Sequence, residues 1–155
     1  RGVRALNLEE DDIVVGMVPV MENTTVLTVS ENGQGRRTDP AEYRLQSRGG
    51  KGIKNYDTQK NGPVAGVLAV GEEDDVILIS DDGIIIRIPV AEISTQSRYA
   101  GGVRVMRIGE GSRLVSLCRA PHEDEEEAAA ESEAPAEAET PAEETADSTG
   151  TPVEE

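Results

Sequence analysis

The stretch that decides the fold is Val26-Leu27-Thr28-Val29-Ser30-Glu31-Asn32-Gly33-Gln34-Gly35-Arg36-Arg37-Thr38. Two short segments flank its centre, where Asn-Gly supplies the positive φ angles that a tight hairpin turn needs. Fifty residues later, Val76–Ser80 and Ile84–Ile88 flank Asp81-Asp82-Gly83 in the same way. The sequence therefore predicts two antiparallel β-hairpins of one design.

These hairpins belong to a repeat with a period of fifty residues and no gaps. A glycine followed by an apolar and a basic residue recurs as Gly2-Val3-Arg4, Gly52-Ile53-Lys54 and Gly102-Val103-Arg104. Apolar segments recur at residues 14–18, 64–68 and 114–118, a further strand is expected at Ile53–Tyr56, and no segment has helical periodicity.

Four short strands per fifty residues give one antiparallel blade per unit. We predict an all-β fold of β-pinwheel or propeller-like blades, with about two and a half units in residues 1–121. Repeats bury their faces against their neighbours, so these units are expected to be part of a larger ring.

The net charge of −16 is concentrated at one end of the chain. Residues 123–155 hold fourteen of the 31 acidic residues and no Lys or Arg, which leaves residues 1–122 with a net charge of −2. A segment so poor in apolar residues cannot offset the entropy of ordering its backbone, so residues 122–155 are predicted to form a disordered acidic tail. Two roles stay open for the tail, competition with an anionic ligand for a basic surface of the chain and solubility alone.

No group of residues predicts an active site or a metal site. His122 has no second ligand nearby in the sequence, and Gly49-Gly50-Lys51-Gly52 lacks the spacing of a nucleotide-binding loop. Tyr43, Tyr56 and Cys118 have apolar counterparts in other units and are interpreted as packing residues. The absence of a long apolar run excludes a membrane span, and a single cysteine fits a reducing cytoplasm.

Basic residues cluster instead between positions 36 and 54. A turn with three glycines and two cations lies among them, and such a turn lets a backbone approach a phosphate closely. With few aromatic residues to stack on bases, duplex DNA is the expected target. The predicted DNA contacts are Arg36, Arg37, Arg44, Arg48, Lys51 and Lys54, with weaker contributions from Arg87, Arg98 and Arg104.

The chain resembles the C-terminal domain of the bacterial DNA gyrase A protein. Residues 31–38, Glu42-Tyr43-Arg44, residues 46–54 and residues 83–90 carry the resemblance. That family's signature box, Q-R-R-G-G-[KR]-G, normally lies in the first blade. Here a degenerate copy stands in a late blade as Gln46-Ser47-Arg48-Gly49-Gly50-Lys51-Gly52, and residues 96–102 have drifted further.

The resemblance implies a non-catalytic module of a type II topoisomerase that wraps duplex DNA and supports ATP-dependent negative supercoiling in the cytoplasm. Its implied partners are double-stranded DNA, the remaining blades and N-terminal domains of the gyrase A protein, and the gyrase B protein in an A2B2 assembly. No cofactor is expected in this chain, because ATP and magnesium act elsewhere in that enzyme. The alternatives are a topoisomerase IV C-terminal domain and a protein-interaction propeller.

Overall fold

Both predicted hairpins are present in the computed structural model, which describes residues 2–122. Strand β1 (Thr25–Ser30) pairs with β2 (Gln34–Thr38). Strands β4 (Asp74–Ser80) and β5 (Ile85–Pro89) form the second hairpin. In each turn only the glycine has a positive φ, 73° at Gly33 and 84° at Gly83. The predicted acidic tail beyond residue 122 lies outside the described residues.

The strands form two antiparallel sheets, and each hairpin is completed by outer strands from later repeat units. The first has the order β3-β1-β2-β6, where β3 is Val64–Val70 and β6 is Val103–Arg104. The second has the order β5-β4-β7, where β7 is Leu114–Pro121. Among residues 2–122, then, one blade has the four strands expected and the other has three.

Two segments predicted as strands do not form them. Ile53–Tyr56 is irregular, as are residues 14–18. The counterpart of 53–54 is β6, which passes over the second hairpin and pairs with Gln34 and Gly35 of the first. Residues 2–122 contain no hairpin before β1–β2, so residues 53–54 and residues 14–18 both lack the earlier hairpin edge with which their counterparts pair.

Three short helical turns accompany the strands of this all-β fold. An α-helical turn, α1, spans Thr58–Asn61, and 3-10 turns span Pro40–Glu42 and Val90–Glu92. A window long enough to show helical periodicity cannot detect elements of three or four residues.

One core joins the two sheets. Its buried members come from both hairpins and from the segments that follow them, namely Leu27, Val29, Val70, Val76, Leu78, Val90, Ile93, Met106 and Leu114. Tyr56 is buried, as expected of a packing residue, and Tyr43 is half-buried. The expectation that Cys118 packs in the core is wrong: it is exposed, because β7 is an edge strand whose outer face is uncovered.

The outer strands of neighbouring units approach each other closely at a repeated glycine. A Cβ added at Gly66 would collide with Cδ2 of Leu117. One unit earlier, a Cβ at Gly16 would lie 2.8 Å from Cγ1 of Val67. Residues 14–18 therefore stack on the next unit as β3 does, although they form no strand.

Candidate nucleic-acid interface

Arg36, the first of the predicted DNA contacts, lies inside the fold and is 2% exposed. Its Nε donates to Oγ1 of Thr38 (3.0 Å), and its first terminal nitrogen donates to the carbonyls of Arg98 (2.7 Å) and Ala100 (2.9 Å). Its second terminal nitrogen donates to the carbonyl and side-chain oxygens of Asn55. All five N–H donors of this guanidinium are thus used within the protein.

Arg37 is also buried, at 4% exposed, and holds a different set of groups. It donates to the carbonyls of Val90 (2.6 Å) and Ile93 (3.0 Å) and to Oγ1 of Thr25 (3.0 Å). It also forms an ion pair with Glu72 at 2.5 Å. Both arginines thereby fasten the first hairpin to the segment that follows the second.

These positions correct the expectation that Arg36 and Arg37 contact DNA from an outer rim. Successive side chains of β2 point to opposite faces, and both faces are covered: residues 98–100 lie over Arg36, and residues 90–93 lie over Arg37. A guanidinium that is buried and bonded to backbone carbonyls has neither the exposure nor the spare donors that a phosphate contact needs.

The box-like turn at Gln46–Gly52 packs against the N-terminal segment. The N–H of Gly49 donates to the carbonyl of Ala5 at 2.8 Å, and the carbonyl of Gly50 accepts from the N–H of Asn7 at 2.9 Å. A cavity of about 350 Å³ lies between the two segments. The expectation that the glycine N–H groups are free for phosphate is therefore wrong at Gly49, while the side chains of Arg48 and Lys51 are exposed.

Lys51 and Lys54 form exposed ion pairs, with Glu9 at 3.3 Å and with Asp57 at 3.5 Å. Exposed pairs of this kind contribute at most about 1 kcal/mol, so they leave both ammonium groups available to a polyanion. Arg98 is half-buried, and its terminal nitrogens donate to the carbonyl of Lys54 and to the hydroxyl of Tyr99, both at 2.6 Å. The structure thus brings Lys54 and Arg98 together.

Arg87 takes part in a cluster around the buried carboxylate of Asp75. Its Nε lies 2.7 Å from Oδ2 of Asp75, and it also donates to the carbonyl of Pro121. The Nδ1 atom of His122 lies 2.7 Å from the other oxygen of the same carboxylate. Burial raises the pKa of Asp75, but hydrogen bonds and positive charge from His122 and Arg87 outweigh it and lower the pKa overall. Arg87 therefore helps to close the second blade.

Several exposed arginines form no ion pair with any other residue of the described part of the chain: Arg4, Arg44, Arg48, Arg104 and Arg107. Arg4 donates to the side chain of Asn7. Arg104 and Arg107 line one open cavity of about 580 Å³ together with Gln34. Arg107 was not among the predicted contacts. No strand pattern indicates it, because Arg104 and Arg107 are three residues apart and would lie on opposite faces of an extended segment.

Two further exposed arginines, Arg113 and Arg119, are partly neutralised. Arg113 lies near Glu31 (4.0 Å) and Asp81 (3.7 Å), and Arg119 lies 3.7 Å from Asp74. Within residues 2–122, no three His, Cys, Asp or Glu side chains are placed to hold a metal ion. No helix in that range is long and apolar enough to cross a membrane.

Comparisons with protein-family models and with individual proteins point to the same family. A family model described as the DNA gyrase C-terminal domain, β-propeller, matches residues 1–21, 24–70 and 74–117. The DNA gyrase A protein of Staphylococcus epidermidis is 39% identical over 127 residues, which cover 80% of this chain and 14% of that protein. The gyrase A protein of Helicobacter pylori is 50% identical over 54 residues, covering 34% of this chain and 6% of that protein. The chain thus spans only a small part of these relatives.

Two solved structures are similar in fold. A DNA gyrase A C-terminal domain aligns with a TM-score of 0.69 and 32% identity, over 76% of this chain and 41% of that one. The C-terminal domain of DNA topoisomerase IV aligns with a TM-score of 0.70 over 84% of this chain and 41% of that one. Its 22% identity supports the fold alone.

Proposed function

Because the chain belongs to the DNA gyrase C-terminal β-propeller family, we propose that it binds duplex DNA as part of a gyrase A protein. It contacts phosphates without reading base sequence and contributes to the wrapping that supports ATP-dependent negative supercoiling. The chain itself performs no catalysis, and its other partners are the remaining domains of the gyrase A protein and the gyrase B protein.

The observation that carries this proposal is the division of the cations into two sets. Arg36 and Arg37 are used up inside the fold, whereas Arg44, Arg48, Arg104 and Arg107 are exposed without a neutralising carboxylate in residues 2–122. Placing an arginine where no acidic residue pairs with it leaves its charge available to a polyanion. Lys51, Lys54 and, in part, Arg98 extend this exposed set.

Contacts of this kind predict a particular form of DNA binding. Each phosphate that is neutralised releases condensed counterions. The slope of log K against log salt therefore becomes more negative by about 0.9 for each phosphate contact. Bending a duplex around a small domain costs several kcal/mol, on the order of 1–6 for a site of 20–30 base pairs. Many weak contacts over several blades offset that cost better than one strong site.

A protein-interaction role has one observation in its favour, an exposed apolar run in the N-terminal segment. Ile13, Val14, Met17, Val20 and Met21 are all exposed, Met17 to 93%. Their place in the repeat gives a simpler explanation. Residues 14–18 correspond to β3, which pairs with a neighbouring hairpin, so their natural partner is another blade of the same ring.

The topoisomerase IV alternative rests on the shared fold. The gyrase A protein is the better assignment because the family model and the relatives that match most of the chain are gyrase sequences. The discriminating feature is an intact signature box, which the family carries in its first blade. The copy at Gln46–Gly52 has Ser47 in place of the first arginine and is expected to assist wrapping without directing it.

The proposal is tested by measuring binding of the 155-residue chain to two duplexes of unrelated sequence over a range of salt concentrations. We expect similar affinities for both duplexes and a linear fall of log K with log salt. A strong preference for one sequence, or affinity that does not change with salt, contradicts a phosphate-contact mechanism. Intact folding at each salt concentration is checked by circular dichroism.

A further inference from the structure

The fold places a small cleft between the end of the box-like turn and its second, drifted copy. The cleft has a volume of about 180 Å³ and is lined by Arg36, Lys54, Asn55, Tyr56, Asp57, Arg98, Tyr99 and Ala100. This volume is several times the roughly 30 Å³ that one water molecule occupies in the liquid, so a tetrahedral oxyanion fits with room for solvent. Three of the lining residues are cations.

The two guanidinium groups of the cleft lack a carboxylate partner in the described part of the chain. Arg37 offsets its charge with Glu72, but Arg36 is bonded to neutral oxygens and lies over the ring of Tyr56. Carbonyl dipoles satisfy its hydrogen-bond donors and leave a full positive charge in a poorly solvated place. An anion in the adjacent cleft offsets that cost.

Arg98 has donors to spare. Only two of its five guanidinium N–H groups have acceptors within residues 2–122, the carbonyl of Lys54 and the hydroxyl of Tyr99. Its Nε is buried and unpaired, and the guanidinium stacks on the ring of Tyr99 with its central carbon 4.5 Å from the ring centre. Stacking holds the planar group in place, and a planar group with free N–H donors suits phosphate oxygens.

Lys54 and Tyr99 complete the cleft at its exposed side. The side chain of Lys54 is 69% exposed and Tyr99 is 81% exposed. Two carboxylates lie nearby: Asp57 pairs with Lys54, and Glu42 accepts weakly from the backbone N–H of Arg98 at 3.5 Å. Three cations against two carboxylates leave the neighbourhood positive, and neither carboxylate pairs with a guanidinium.

We infer that this cleft is a binding site for a phosphate group, held by Arg98 and Lys54 and favoured by the buried charge of Arg36. The site does not require the chain to bind DNA. The same chemistry accepts a backbone phosphate of a nucleic acid or free inorganic phosphate. A bound phosphate links residues 54–57 to residues 98–100. It adds to two existing bonds, from Arg36 to the carbonyl of Arg98 and from Arg98 to the carbonyl of Lys54.

The test is an NMR titration of the full chain with inorganic phosphate, with sodium chloride of equal ionic strength as the reference. We expect saturable shifts of the Nε–H signals of Arg36 and Arg98 that chloride does not reproduce. Lys54→Gln, a change at an exposed side chain, is expected to weaken phosphate binding roughly 3- to 10-fold. The matched control is Lys60→Gln, an exposed lysine of α1 that does not line the cleft.

Shifts no larger than those in chloride, or equal phosphate affinity of the two lysine variants, overturn the assignment. Adding a short duplex to the phosphate-saturated chain then identifies the source of the ligand. Displacement of phosphate from the cleft shows that a DNA phosphate occupies it, and retention of phosphate while DNA binds shows a separate site for the free ion. Either result supports a phosphate site in the cleft. If the chain binds DNA but phosphate causes no shifts, the phosphate site is rejected and the proposed DNA binding is not.

Discussion

The guanidinium of Arg36 donates a hydrogen bond of 2.7 Å to the backbone carbonyl of Arg98, 62 residues further along the chain. This bond joins the first hairpin to the second copy of the box-like turn. Arg37, the next residue, makes the same kind of connection to Val90 and Ile93. Two cations that look like a DNA-binding pair in the sequence therefore hold neighbouring repeat units together.

Replacing Arg36 tests this structural role. Arg36→Ala removes hydrogen bonds to three backbone carbonyls and two side chains, and is expected to lower the free energy of unfolding by about 3 kcal/mol or more. Arg44→Ala, at an exposed position, is expected to change it by less than about 0.5 kcal/mol. Urea unfolding followed by circular dichroism measures both. Equal stability of the two variants contradicts the role assigned to Arg36.

The hairpin turns offer a matched pair of glycines. A Cβ at Gly33 would collide with the carbonyl oxygen of Met106, whereas a Cβ at Gly83 would meet nothing within 4 Å. Both glycines have positive φ, so alanine costs roughly 1 kcal/mol at either position. Gly33→Ala adds a collision with backbone and is expected to lower the thermal midpoint several degrees more than Gly83→Ala. The same shift for both variants shows that residues 105–106 do not pack against the first turn.

The Asp75 cluster predicts a dependence of stability on acid. The pKa of Asp75 is lowered in the folded chain, so its stabilising effect is present above the unfolded pKa of about 3.9 and is lost as the pH falls through the folded value. Asp75→Asn is expected to lower the thermal midpoint at neutral pH and to flatten its decline in acid. Thermal unfolding between neutral pH and about pH 2 checks this, with the exposed Asp11→Asn as control. An acid decline as steep in Asp75→Asn as in the unchanged chain counts against the cluster.

The arrangement of the hairpins follows from local chemistry and was predictable. A turn glycine and the strands beside it are specified within about thirteen residues, and the fifty-residue repeat copies them. The prediction of strands at 14–18 and 53–56 was wrong because a strand forms only where a second strand pairs with it. Their pairing depends on blades that residues 2–122 do not contain, and no local pattern shows that.

The burial of Arg36 and Arg37 was missed because their acceptors lie far away in the sequence. One signal does indicate it for Arg36: its counterpart one unit later is Ile86, an apolar residue on the same strand of the second hairpin. The same comparison between repeat units predicted burial of Tyr56, whose counterparts are apolar, and Tyr56 is buried. Arg104 was expected to be exposed, and it is exposed in the structure. This expectation did not depend on residues that are distant in the sequence.

The central claim, that exposed and unpaired arginines bind DNA phosphates, is tested most directly by the salt dependence of duplex binding. Replacing Arg104 and Arg107 together with Gln is expected to reduce the slope of log K against log salt by about 1.8, which corresponds to two phosphate contacts. Replacing the acid-paired Arg113 and Arg119 with Gln serves as the charge-matched control and is expected to reduce the slope by less than half as much. An unchanged slope in the first variant, or equal reductions in both, contradicts the account.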